Sequence, residues 1–145
     1  MKREPIIQHS LTYAIFFILI ALASGCVGAK VRTYSGDNLK KSEVSVIKGR
    51  YYYALLFYES IVIESVDGKA VRATKVELLP GKHEIRMKKY VINLFGFPPV
   101  YGYATLNVEA GHKYKIKSSL LCDRDDLVEI KDLNTGITVF SGHWY

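Results

Sequence analysis

The stretch that decides the fold is residues 104–118, ATLNVEAGHKYKIKS. In its first half an apolar side chain stands at every second position from Ala104 to Val108, and in its second half Tyr114 and Ile116 alternate with lysines. A period of two places one set of side chains on a buried face and the other in water, which is typical of antiparallel β-strands. A small-residue pair with glycine between the halves predicts a reversal of the chain.

The same period recurs elsewhere, in Lys82–Lys88 and around Val128 and Ile130, while Ile61–Val66 is more continuously apolar and suits a central strand. Asp67-Gly68 is a strong hairpin signal. Further reversals are predicted at Pro80-Gly81, Ala110-Gly111 and Asn134-Thr135-Gly136. After residue 26 no capped stretch has an apolar stripe of period 3.6, so helices should be absent or single-turn. We therefore predict an all-β, mostly antiparallel β-sandwich of about seven or eight strands within about residues 42–141.

Composition and charge fit one globular domain. The chain has 145 residues, of which 49% are hydrophobic and 23% charged, and this balance argues against disorder. The formal net charge is +6, and removal of residues 1–25 takes away two positive charges and one negative charge, leaving +5. This excess favours an anionic surface such as phospholipid headgroups or an acidic polymer, or it reflects only a solvated, lysine-rich β surface. The lysines are spread singly along the strands without a nucleic-acid-binding motif, so nucleic acid is not a predicted partner.

The amino-terminal sequence, MKREPIIQHSLTYAIFFILIALASGC, carries the strongest functional signal. Two basic residues precede an apolar run from Leu11 to Ala23, which is too short for a hydrocarbon core of about 30 Å and suits a secretory signal. We predict an export signal at residues 1–25. The alternative is a retained signal-anchor helix over residues 6–27, although polar residues interrupt it. A disulfide between Cys26 and Cys122 would also satisfy the cysteine count.

Leu22-Ala23-Ser24-Gly25-Cys26 resembles the lipobox of bacterial lipoproteins, with Ala23 where leucine is more usual. The resemblance implies that Cys26 is acylated, becomes the new N-terminus and holds the protein at a lipid bilayer. Two or three acyl chains give a durable anchor, because each buried methylene contributes about 0.8 kcal/mol. Since Val27 rather than Asp follows the cysteine, the resemblance implies the periplasmic face of the outer membrane, with the inner membrane as the alternative.

The turn motifs also carry a resemblance. Val66-Asp67-Gly68-Lys69 with Val76–Ile85 resembles PEGA-like modules, which are small bacterial β-sandwich domains. A longer series of short motifs is similar to that of small uncharacterised proteobacterial lipoproteins. The motifs here are Tyr34-Ser35-Gly36, Val66-Asp67-Gly68, Leu78–His83, Ala110–Tyr114 and Asp132–Gly136. The resemblance implies a surface-tethered binding or scaffolding module and carries over no activity. The predicted organisation is a signal (residues 1–25), a lipidated N-terminus and tether (26–41) and a β-sandwich domain (42–145).

Residues able to support catalysis or bind metal are few. His83 and His112 follow turn glycines, and neither they nor His143 belong to a zinc-site or nucleophile-elbow motif. The acidic run Asp123-Arg124-Asp125-Asp126 lacks the Gly and distal Glu of a calcium loop, and Cys122 follows two leucines as a small buried hydrophobe. We predict no cofactor and no catalysis. The alternative is a small metal-dependent hydrolase built from His83, His112 and the acidic run.

The aromatic segments are the best functional clue. Tyr51-Tyr52-Tyr53 with Phe57-Tyr58 forms one group, and residues 95–103, FGFPPVYGY, form another. The Gly and Pro of the second group predict an exposed loop, whose contact residues would be Phe95, Phe97, Tyr101 and Tyr103. Such rings give a large contact area at low side-chain entropy cost, although they could instead cover one open end of the core.

The predicted function is a non-catalytic binding or scaffolding module for an envelope protein or cell-wall partner. The alternative is an accessory subunit of an envelope transport or assembly complex.

Overall fold

The computed structural model describes residues 30–36, 38–54, 57–92, 98–118 and 127–145, which form eleven strands in two sheets. The strands are β1 (Lys30–Arg32), β2 (Ser45–Lys48), β3 (Arg50–Ala54), β4 (Phe57–Val66), β5 (Lys69–Ala73), β6 (Lys75–Leu78), β7 (Gly81–Ile92), β8 (Val100–Val108), β9 (Lys113–Ser118), β10 (Leu127–Asp132) and β11 (Thr138–His143). The six-stranded sheet has the order β1-β6-β2-β9-β10-β11, and the five-stranded sheet has β3-β4-β7-β8 with β5 beside β4. The pairs β1–β6 and β2–β9 are parallel and the other described pairs antiparallel. The predicted mostly antiparallel all-β sandwich is confirmed.

The core lies between the two sheets and consists of the side chains that the two-residue period places inward. It is formed from both sheets by Ile47, Ile61, Ile63, Val66, Ala73, Val76, Leu78, Ile85, Met87, Ala104, Leu106, Val108, Tyr114, Ile116, Val128, Ile130 and Trp144. Each large apolar side chain buried in this way contributes about 1.5–3 kcal/mol relative to an exposed one. Burial of the alternating positions therefore fixes which side of each strand faces water.

Eleven strands exceed the predicted seven or eight, because short edge strands lack a readable alternation. Part of the predicted tether is one of them: β1 is only three residues long, and of these Val31 packs against the core. Its neighbours Lys30 and Arg32 form ion pairs with Glu77 of β6. Since these contacts join segments far apart in the sequence, the local pattern of residues 26–41 could not predict them.

The predicted turns divide into two kinds. Asp67-Gly68 forms the two-residue turn of the β4–β5 hairpin, with φ of 50° and 76°, as its sequence predicts. Asn134-Thr135-Gly136 reverses the chain between β10 and β11 in the same sheet. In contrast, Pro80-Gly81 and Ala110-Gly111 carry the chain from one sheet to the other.

Within the described ranges no residue is helical, as the sequence predicts, and none belongs to a helix that could span a membrane. The predicted signal at residues 1–25, the proposed lipidation site Cys26, and Cys122 lie outside those ranges.

Residues 144 and 145 join the two sheets along one side of the sandwich. The backbone of Tyr145 exchanges two hydrogen bonds with that of Tyr101 in β8, at 2.8 and 2.9 Å. The Trp144 ring is buried against Gly102, where the Cβ of any larger residue would lie 3.1 Å from the ring. Gly102 therefore makes room for a core tryptophan and does not interrupt β8.

Candidate functional site

The outer side of the five-stranded sheet carries six tyrosines, and we call this surface the tyrosine face. Its members are Tyr51, Tyr53, Tyr58, Tyr90, Tyr101 and Tyr103, together with Glu64, Arg86 and Lys88. Residues directly opposite each other in an antiparallel pair point to the same side. Tyr53 lies opposite Tyr58, Arg86 opposite Tyr103, and Lys88 opposite Tyr101. The register of four strands thus brings together aromatic residues from two distant parts of the sequence.

Two cations lie over these rings. The Arg86 guanidinium carbon is 4.8 Å from the ring centroid of Tyr101 and 5.7 Å from that of Tyr103. The Lys88 Nζ is 4.9 Å from the Tyr90 centroid and 5.1 Å from the Tyr101 centroid. Each such contact stabilises an exposed cation–ring pair by about 0.5–1 kcal/mol. The rings and the cations therefore form one connected surface.

A single carboxylate positions both cations. Glu64 Oε2 lies 3.4 Å from Arg86 Nε, and Glu64 Oε1 lies 3.7 Å from Lys88 Nζ. Hydrogen bonds to the hydroxyl groups of Tyr101 and Tyr90 raise the pKa of Lys88 above its ordinary value, so this amine is charged at any physiological pH. Two positive charges against one negative charge leave this part of the tyrosine face cationic.

Four of the six rings are exposed to a partner, and Tyr58 and Tyr101 are half-buried. Tyr53 is 75% exposed and Tyr103 is 56% exposed, and Tyr51 and Tyr90 are also exposed. At the β3 end of the face the centroids of Tyr53 and Tyr58 are 4.8 Å apart. An antiparallel sheet can place polar residues on its solvent side, so the fold itself does not require tyrosines there.

The structure corrects the predicted loop. Tyr101 and Tyr103 lie in β8 and not in a loop, because the intervening Gly102 accommodates Trp144. Phe95 and Phe97, the other predicted contact residues, lie outside the described residues. The members of the tyrosine face point away from the core. Tyr52 points to the opposite side of β3, but it is 38% exposed and is not part of the core.

Sequence reasoning did not combine the two aromatic groups or include Arg86 and Lys88. The available signal was the spacing of two within each strand, as in Tyr51 and Tyr53 or Tyr101 and Tyr103. Which strands are neighbours depends on pairings that local sequence does not encode.

The two turn histidines form separate His–Asp pairs. His83 Nδ1 lies 2.7 Å from Asp67 Oδ2, and its Nε2 lies 2.9 Å from the Leu79 carbonyl oxygen. His112 Nδ1 lies 2.8 Å from Asp132 Oδ2. A ring nitrogen facing a carbonyl oxygen must donate, so Nε2 of His83 carries a hydrogen and has no lone pair for a metal ion.

The carboxylates of these pairs also accept hydrogen bonds from backbone N–H groups, Asp67 from a strand and Asp132 from a turn. Asp67 Oδ1 accepts a hydrogen bond from the Glu84 N–H, and Asp132 Oδ1 accepts one from the Asn134 N–H, at 2.9 and 2.8 Å. Burial alone would raise the pKa of both carboxyls. The backbone and histidine hydrogen bonds outweigh it, so the pKa of each lies below its ordinary value. Each aspartate therefore connects a turn to a neighbouring strand.

The alternative prediction of a metal-dependent hydrolase requires metal-binding side chains that lie together. The part of the chain that the structure describes does not bring such side chains together. No group of three or more His, Cys, Asp and Glu side chains there could hold a metal ion. The acidic run at residues 123–126 lies outside this part. His83 and His112 are bound to different aspartates, which accounts for both as links between turns and strands.

No protein-family model matches the chain, and neither a curated protein nor a solved structure matches it significantly.

Proposed function

We propose that this chain is an envelope lipoprotein whose β-sandwich is a non-catalytic binding module. Acylated Cys26 attaches it to the bilayer, on the periplasmic face of the outer membrane. The tyrosine face binds an acidic, partly apolar patch on an envelope protein. The observation that carries this proposal is the set of accessible tyrosines with Arg86 and Lys88 already positioned over their rings.

The chemistry of the tyrosine face favours recognition of another protein. Tyrosine and arginine are enriched among the residues that dominate binding energy at interfaces. The ion pairs to Glu64 and the ring contacts already order Arg86 and Lys88, which lowers the entropy lost on binding. Because the two cations outnumber the carboxylate, a partner carrying Asp or Glu beside apolar groups would complement the surface.

The support for membrane attachment is in the sequence. An apolar run of signal-peptide length leads directly into a lipobox-like Leu22–Cys26 segment. Val27 after the cysteine supports outer-membrane rather than inner-membrane retention. Attachment there would hold the domain at a surface where an envelope partner has a high local concentration.

Photocrosslinking in intact cells tests the binding face. A photoreactive phenylalanine replacing Tyr103 in the full-length chain is expected to give a discrete protein adduct. The same probe replacing Asn107, which is on the same side of β8 but away from the tyrosines, is expected to give none. Adding Arg86→Glu should reduce the Tyr103-site adduct at least about tenfold, since loss of a central interface arginine costs about 2 kcal/mol or more.

Stability provides the matched control. Because Arg86 contacts two rings and pairs with Glu64, Arg86→Glu should lower the free energy of unfolding by about 1–2 kcal/mol and leave the domain folded. Equal adducts from the Tyr103 and Asn107 sites would contradict the proposed face. An adduct that cell-wall digestion releases would show that a glycan is the partner and would contradict the protein partner proposed here.

A further inference from the structure

The outer side of the six-stranded sheet carries five lysines side by side, and we call them the lysine row. Its members, in order across the strands β1, β6, β2, β9 and β10, are Lys30, Lys75, Lys48, Lys115 and Lys131. Each lies directly opposite the next in the strand register. Neighbouring strands are about 4.7–4.9 Å apart, so the row extends about 19 Å across the sheet.

The charge around the row is one-sided. On the same side of these five strands, positions two residues apart add further cations and two carboxylates. The added cations are Arg32, Lys113 and Lys117, which with the five lysines of the row make eight, and the carboxylates are Glu77 and Glu129. Glu77 is already bound by Lys30 and Arg32. Like charges directly opposite one another destabilise a sheet, so an external anion would relieve the repulsion.

The position of the proposed anchor favours phospholipid headgroups as the anion. Cys26 precedes Lys30, the first member of the row, by four residues. A chain spans at most about 3.3–3.6 Å per residue, so the row begins within about 14 Å of the acylated cysteine in any conformation. The first member of the row therefore stays close to the headgroups of the membrane that holds Cys26, and rotation of the domain can bring the other members to them. Each lysine close to an anionic membrane surface adds to the attraction.

We propose that the lysine row binds anionic phospholipid headgroups and orients the lipidated domain with its six-stranded sheet toward the bilayer. This inference takes only the acyl anchor from the proposed function, and it does not depend on the binding role of the tyrosine face. The tyrosine face lies on the outer side of the other sheet of the sandwich. Docking through the lysine row therefore directs the tyrosine face away from the membrane, where a protein partner can approach it.

Amine labelling of the protein purified from bacterial cells that express the full-length chain tests this orientation. The protein is bound to phosphatidylcholine vesicles with or without about one third phosphatidylglycerol, treated with a water-soluble amine reagent, and digested for mass spectrometry. We expect labelling of Lys48 and Lys115 to fall at least about threefold in the anionic vesicles. High salt should restore it, because surface attraction is screened within about 3 Å at 1 M. Lys82, exposed on the five-stranded sheet, is the internal control and should be labelled equally in both vesicles.

Vesicle flotation of the same samples distinguishes failure of the acyl-anchor proposal from failure of the lysine-row proposal. Failure to float with phosphatidylcholine vesicles would show that the acyl anchor is absent, which contradicts the proposed function. Flotation with equal labelling of Lys115 in both vesicles would overturn the lysine-row proposal and leave the anchor intact. Equal protection of Lys82 and Lys115 would also overturn it, because the domain would then have no preferred orientation.

Discussion

Gly49→Ala is expected to lower the free energy of unfolding by about 3 kcal/mol or more. Gly49 links β2 to β3, where the chain passes from one sheet to the other, and its N–H donates a 2.8 Å hydrogen bond to the Thr74 carbonyl oxygen. An alanine Cβ there would overlap the Ile61 carbonyl oxygen and lie 3.0 Å from the Ile61 carbonyl carbon. Both are backbone atoms of the central strand β4, so no side-chain rotation relieves the overlap.

Thermal and denaturant unfolding of the full-length protein measures this effect. A loss of this size should lower the Tm by at least about 12 °C in a domain of about 100 residues. Gly102→Ala is the matched control, since its methyl group would meet the side chains of Trp144 and Met87 at 3.1 and 3.4 Å, which can shift slightly. We expect it to cost about 1 kcal/mol. A Gly49→Ala protein as stable as Gly102→Ala would contradict the described crossing between the sheets.

Asp132→Ala is expected to cost about 2–3 kcal/mol at neutral pH. The Asp132 side chain is buried and accepts hydrogen bonds from the ring of His112 and the N–H of Asn134. Alanine would leave both donors without that acceptor, and loss of a charged, buried acceptor costs more than loss of a neutral one. Chemical unfolding at pH 7 measures the change. A loss below about 0.5 kcal/mol would show that the His112–Asp132 pair does not stabilise the β9–β10 end.

The same carboxyl predicts acid sensitivity. Because the pKa of Asp132 is lower in the folded protein than its ordinary value of 3.8, the unfolded chain binds the proton more readily. The stabilisation is therefore complete well above pH 4 and is lost as the pH falls through the folded-state pKa. The difference in unfolding free energy between pH 7 and pH 3 should be smaller in Asp132→Asn. Asn134→Ala, which removes a nearby acceptor without a titrating group, should keep the wild-type difference.

Much of the fold could be predicted because the alternation of apolar and polar residues in each long strand shows which side of that strand is buried. The alternation around Ile85, Leu106 and Ile116 identifies their buried sides without knowledge of any partner strand. The short edge strand β1 could not be predicted, because ion pairs to Glu77 and a parallel pairing hold it, and neither has a local pattern. The predicted number of strands was therefore lower than the eleven in the described residues.

The two candidate surfaces could likewise be predicted only in part, because they depend on strand pairing as well as on the local sequence. The sequence identified the tyrosines of residues 51–53 and 101–103 as functional candidates, but it could not show that β3 and β8 belong to one sheet. Lysines that are spread singly in the sequence form the lysine row only through the pairings of β1 with β6 and of β2 with β9. Glycine was also misleading at residue 102, where it accommodates a tryptophan inside a strand.

The turn motifs have a physical explanation in the His–Asp pairs. The sequence predicted His83 and His112 near turns, but not that Asp67 and Asp132 bind them. Each aspartate also binds a backbone N–H, so the spacing of these motifs is set by the connection between a turn and a strand.

Incorporation of radiolabelled palmitate into the full-length chain in bacterial cells, with Cys26→Ser beside it, tests the membrane anchor most directly. The membrane anchor predicts a labelled wild-type protein in the outer-membrane fraction and no label in Cys26→Ser. A wild-type chain that carries no label and fractionates as a soluble protein would contradict it, and so would a label that remains in Cys26→Ser.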